Sequence, residues 1–93
     1  MRTTVTLPLA LLDHQKAHPR TTSSVNAVAA AYTEGRDVPP IPVHVSRDGR
    51  VKLKRDGNHR LAAARQAGLR EVLVCIDARD LHRLRAVIAA QKP

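Results

Sequence analysis

The sequence predicts an α+β fold, a small mixed β-sheet packed with helices in the order β-α-β-β-α-β-α. Three observations predict it. Short β-branched or alternating segments recur at residues 3–7, 41–46, 50–54 and 71–76. Between them lie runs with helical spacing, two of which stop at a glycine, Gly35 and Gly68. Asp48-Gly49 then joins the two middle strands as a hairpin turn. Strands and helices mixed in this order bury their apolar faces as helices on a sheet.

Thr3-Thr4-Val5-Thr6-Leu7 is the first strand, and Pro8 ends it. Residues 9–15 read as a short helical turn. His18-Pro19-Arg20-Thr21-Thr22 reads as a loop, because Pro19 disfavours helical geometry at His18. Ser23 or Ser24 can cap a helix running to Glu34, with Val25, Val28, Ala29 and Tyr32 on one face. Asp37-Val38-Pro39-Pro40 is an extended connection. The next strand places Ile41, Val43 and Val45 on one face, and its return partner turns Val51 and Leu53 inward. A helix over residues 57–67 presents Leu61, Ala64 and Ala67 to the core. The strand at 71–76 shows no clear alternation, so it reads as central and covered on both faces. Asp77 or Asp80 caps a last helix whose apolar side is Leu81, Leu84, Val87 and Ile88. That stripe reads as core, with a homodimer face as the competing reading.

Ninety-three residues form a single domain, 1–93. Tyr32 is the only aromatic residue, so the core rests on Leu, Val, Ile and Ala. Sixteen Lys plus Arg against eight Asp plus Glu give a net charge of +8, which suits a polyanion such as nucleic acid, a nucleotide or an acidic protein. Cys75, the one cysteine, sits in the apolar run Val72-Leu73-Val74-Cys75-Ile76 and reads as a structural thiol. No disulfide can form within the chain, which fits a reducing cytoplasm. No apolar run is long enough to span a membrane, and no secretion signal is legible, so no membrane partner is expected. No Ser-His-Asp arrangement, P-loop or Cys pair is present. His14 and His18 lack a third ligand at suitable spacing, so no metal site is expected.

Most of the chemistry lies in Asp56-Gly57-Asn58-His59-Arg60. A helix N-terminus leaves N–H groups unpaired and carries partial positive charge, so it can hold an anion. Gly57 would let a phosphate approach the backbone, and Arg60 could clamp it through two parallel hydrogen bonds. His59 is either a proton carrier or a hydrogen-bonding group that fixes the loop. Asp56 is either a helix cap or, in a nuclease-like reading, a metal ligand or general base. Arg50, Lys52 and Lys54 lie on one face of the return strand, with Arg47 and Arg55 at its ends. They form either a solvated edge that discourages strand pairing or a track for a nucleic-acid backbone.

Asp56-Gly57-Asn58-His59-Arg60-Leu61-Ala62-Ala63-Ala64, followed by Gly68 and Val72-Leu73-Val74, resembles the ParB/sulfiredoxin-like superfamily. That signature is a hairpin strand, D-G-x-H-R-x-x-A-A, a glycine and an apolar strand. Pro40-Ile41-Pro42-Val43 is similar to the strand before the family's hairpin, and Pro19-Arg20 falls where the family has an arginine-bearing loop. The resemblance implies a phosphate site for a nucleotide or DNA. Gly57, Asn58, His59 and Arg60 would line it, and Arg20 would close it from the other loop. It also implies a nucleoside triphosphate with Mg as cofactor, and a cytoplasmic, prokaryotic protein.

Two positions depart from the pattern. Sulfiredoxins carry their catalytic cysteine just before the His-Arg pair, where this chain has Asn58, so sulfinic-acid repair is not expected. Partition proteins carry a glutamate at the Asn58 position and an arginine at His59. The leading expectation is therefore a stand-alone DNA-binding or regulatory module that grips phosphates. The enzymatic alternative is a nuclease or NTP-dependent phosphotransferase using His59 and Asp56. The third reading is a protein-interaction module with a degenerate pocket.

Overall fold

A computed structural model of the chain describes residues 2–54 and 57–91. Its strands are β1 (Arg2–Pro8), β2 (Ile41–Val45), β3 (Val51–Leu53) and β4 (Glu71–Asp77). Its helices are α1 (Thr22–Thr33), α2 (Asn58–Gln66) and α3 (Leu81–Ala90), with short 3-10 turns at Leu9–Leu12 and Ala78–Asp80. The sheet order is β1-β4-β2-β3. β1 and β4 pair antiparallel along their whole length, from Arg2↔Asp77 to Pro8↔Glu71. β2 and β4 are parallel, paired at Ile41↔Val74 and Pro42↔Cys75. Pro42 has no N–H to donate to a ladder, which suits so short a pairing.

The hairpin between β2 and β3 closes over residues 46–50. Ser46 N–H donates to the Arg50 carbonyl at 2.9 Å, and Gly49 N–H to the Ser46 carbonyl at 3.0 Å. Gly49 has φ +82°, the left-handed geometry that glycine adopts without strain. Gly68 performs the corresponding task after α2, at φ +72°.

The core lies on one face of the sheet. Leu7, Ile41, Val43, Val51, Val74 and Ile76 project from the strands and meet Leu61 of α2 and Leu84 of α3. Leu81, Val87 and Ile88 also pack against this cluster, so the apolar stripe of α3 is used within the chain. α1 packs on α2 through a second cluster, Val25 and Ala29 against Ala63. Ala63 lies outside the predicted stripe. It is buried because α1 covers a second side of α2, while the expected Ala67 is half-exposed.

Two local expectations are corrected. β4 is central but not covered on both faces. Val72, Val74 and Ile76 are buried, whereas Leu73 is 44% exposed. All the core-forming elements pack on the face opposite Leu73, and strand alternation turns every second side chain away from them. The α1 cap is Thr21 rather than Ser23 or Ser24. Its Oγ1 accepts from Ser24 N–H at 3.4 Å, so the helix begins at Thr22.

Candidate phosphate site

Gly57 precedes the first residue of α2 in ordinary helical geometry, φ −87° and ψ −11°. Conformational freedom therefore does not explain the glycine. Space does: a Cβ there would lie 2.9 Å from Leu53 Cδ2 and 3.1 Å from Ile41 Cγ2. Gly57 lets the start of α2 sit directly on β2 and β3. Its own N–H donates to the Lys54 carbonyl at 3.2 Å.

Asn58 and His59 reach across to the loop that precedes α1. Asn58 Oδ1 accepts from His18 N–H at 3.1 Å. His59 Nε2 accepts from Arg20 N–H at 3.0 Å and from Thr21 N–H at 3.5 Å. In this geometry Nε2 is the acceptor face of the ring. The geometry shows the loop-fixing role of His59. The two bonds also hold the start of α1 beside the start of α2.

Both helix starts lack an acidic residue in the first turn. Two partial positive charges thus face one small region with no carboxylate from either first turn to offset them. Arg20 lies on the loop between them and is exposed. The ion pairs among the described residues are Arg36–Glu34, Arg50–Asp48 and Arg79–Asp77, so Arg20 has no carboxylate partner there.

Arg60 is half-buried, one residue further along α2. Its Nη1 donates to the Pro40 carbonyl at 2.7 Å and to that of Pro39 at 3.4 Å. The side chain therefore ties the extended segment before β2 to α2, a role its motif position does not announce. A guanidinium has five N–H donors, so other edges of the group remain for an anion. Tyr32, on α1, senses the same charge. Burial raises its hydroxyl pKa, and the nearby Arg60 guanidinium opposes the rise.

The chain thus brings together Gly57, Asn58, His59, Arg60 and Arg20. Asp56 and Arg55 lie outside the described residues. The hairpin cations are not part of this cluster. Arg47 and Arg50 are exposed in the turn at the far end of β2, and Arg50 Nε lies 3.7 Å from Asp48 Oδ2. Only Lys52 of the expected stripe falls within β3; Lys54 follows it, and both are half-buried. Sequence reasoning also missed Arg65, whose Nη2 donates to the carbonyls of Leu12 at 2.8 Å and Gln15 at 2.5 Å. Its one legible signal was a basic residue in the last turn of a helix. Among the described residues, no three His, Cys, Asp or Glu side chains group to hold a metal, and no helix is long and apolar enough to cross a membrane.

No protein-family model matches the chain, and no curated protein matches it by sequence. Solved structures do match. One is the C-terminally truncated chromosome-partitioning protein ParB from Caulobacter crescentus complexed with CTP-gamma-S, at 22% identity and TM-score 0.63, covering 98% of this chain. The chain spans 54% of that ParB structure. Another is sulfiredoxin from Arabidopsis thaliana, at 22% identity and TM-score 0.61, covering 91% of this chain and 96% of that one. A four-stranded mixed sheet, three helices and overlap of this extent with both proteins lead to one structural conclusion: the chain has the ParB/sulfiredoxin-like fold.

Proposed function

We propose that the chain binds the phosphates of a nucleotide at the joined starts of α1 and α2, and acts as a binding or regulatory module in DNA metabolism. One observation carries the reading. His59 Nε2 holds the backbone of Arg20 and Thr21, which sets side by side two helix starts whose first turns carry no acidic residue. Such an arrangement offers N–H donors and positive potential to one anion. Arg20 supplies an exposed charge at the mouth, and Arg60 supplies the edges of its guanidinium that the proline carbonyls leave over. The ParB structure complexed with CTP-gamma-S supports a nucleoside triphosphate as the ligand class.

Binding fits these residues better than catalysis. Asn58 Oδ1 and His59 Nε2, in the first turn of α2, are both engaged by loop N–H groups. In the enzymatic alternative, His59 would first have to release Arg20 before moving a proton. Among the described residues neither helix offers a carboxylate in its first turn, so Mg would enter with the phosphates.

A thermal-shift series with CTP, ATP, ADP and short duplex DNA, each with and without Mg²⁺, tests the proposal. A ligand held only by the folded chain at a hundredfold above its Kd adds about 2.7 kcal/mol. In a domain this size that raises the melting temperature by roughly 10–20 °C. A rise with a triphosphate but not with DNA supports the reading. A rise with DNA alone moves the ligand to nucleic acid. No rise with any of them ends it.

A further inference from the structure

A cleft of about 490 Å³ opens between the hairpin turn and α3. Val45, Ala86 and Val87 form its apolar part, with Arg47 from the turn and Arg83 from α3 beside them. Past Gly49 it continues into a second hollow of about 230 Å³, where His14 and Arg50 join the lining. Gly49 and Val87 border both volumes, so the two form one groove around the turn. The combined space is in the range that holds a ligand segment. It lies at the Val45 end of β2, whereas Gly57 rests against Ile41 at the other end. Four residue steps of strand separate them by about 13 Å. The groove is therefore distinct from the phosphate site.

Its charge has one sign. Arg47 and Arg83 have no carboxylate partner among the described residues. α3 and Gln91 after it contain no Asp or Glu. Asp13 and Asp48, the acids next to lining residues in sequence, line neither hollow, and Asp48 is engaged by Ser46 and Arg50 within the turn. Arginines beside an apolar floor fit a ligand that carries carboxylates next to an apolar side chain. A nucleic-acid backbone has no apolar side chain to seat on the valines. The chain's only aromatic residue, Tyr32, lies on α1, away from the groove, so base stacking is not offered there either.

We propose that this groove docks an acidic peptide segment of a partner protein, with an apolar side chain on Val45 and Val87 and carboxylates on Arg47 and Arg83. The test uses the full chain and short fluorescein-labelled peptides. One repeats Glu-Glu-Leu, and one repeats Glu-Glu-Ser at the same charge; a short DNA duplex is the third probe. The leucine peptide should bind at least about tenfold tighter than the serine peptide. The Arg47→Gln/Arg83→Gln variant should weaken leucine-peptide binding at least about tenfold. Lys16→Gln/Arg70→Gln, which removes the same charge from other exposed positions, should change it less than about twofold. Circular dichroism melts of both variants confirm that each is folded. Equal binding of the two peptides, or equal weakening by the two double variants, would overturn the proposal in favour of general charge attraction. A larger loss for duplex DNA than for the leucine peptide in Arg47→Gln/Arg83→Gln would overturn it in favour of a nucleic-acid track. Absence of peptide binding would overturn it outright.

Discussion

Replacing Gly57 with alanine distinguishes two reasons for a glycine at the start of α2. Gly57 has φ −87°, so alanine there brings no backbone strain. The added methyl would stand 2.9 Å from Leu53 Cδ2 and 3.1 Å from Ile41 Cγ2. Leu53 is half-buried, and its Cδ2 is the free end of a rotatable side chain, so that contact can relax. Ile41 is 0% exposed, and its Cγ2 is attached directly to the branched Cβ, so that contact cannot relax without moving β2. Overpacking of this kind costs about 1–3 kcal/mol. The smaller freedom of alanine in the unfolded chain offsets about 0.4–1 kcal/mol. The net destabilisation is about 1 kcal/mol, which in a domain this size lowers the melting temperature by roughly 4–8 °C. Thermal melts followed by circular dichroism measure it. The same substitution in a Leu53→Ala background should cost the same within about 0.5 kcal/mol, because the Ile41 contact that cannot relax remains. A Gly57→Ala protein that melts at or above the parent temperature would refute the packing argument and leave ligand approach as the reason for the glycine.

Three further predictions concern the same region and the acid range. Arg60→Ala should lower both stability and nucleotide affinity, since the half-buried guanidinium holds the Pro40 carbonyl at 2.7 Å. A charge-assisted bond of this kind contributes about 1.5–3 kcal/mol, so urea midpoints and nucleotide titrations should both move; an unchanged midpoint would remove its anchoring role. Asn58→Ala and His59→Ala should speed amide exchange at His18, Arg20 and Thr21 by about threefold to tenfold, for one lost neutral hydrogen bond each, while β4 amides stay protected. Unchanged exchange in the loop would show that these side chains do not hold it. Asp77 is kept below the usual carboxylate range first by the Arg79 backbone N–H and then by its side chain. A lowered folded-state pKa adds stability that is present above the usual carboxylate range and lost as pH falls through the folded value. Asp77→Asn should therefore flatten the acid limb of the stability curve, read from urea midpoints at neutral and acid pH. Equal losses in both proteins would break the link.

The strand and helix order was legible because its signals are local. Gly35 and Gly68 end helices, and Asp48-Gly49 turns the hairpin, through backbone geometry that depends on a few neighbouring residues. The resemblance carried by Asp56 to Ala64, with Gly68 and Val72-Leu73-Val74 after it, identified the fold for a similar reason, since a motif is read along the chain. β4 was misread on its second face because an apolar run does not state how many layers cover it. Leu73 is exposed although it sits between two buried valines. Ala63 was missed because its burial comes from α1, an element far from it in sequence.

The sequence by itself determined which elements form, where they stop, and that a glycine, a histidine and an arginine begin one helix. Only the tertiary structure decided what those three residues do. Gly57 makes room for Ile41 and Leu53, His59 holds a loop some forty residues earlier in the chain, and Arg60 ties down the prolines before β2. The physical reason is that propensity and capping act over a few neighbouring residues, whereas a hydrogen bond or a steric contact depends on which distant atoms the packed fold brings within reach.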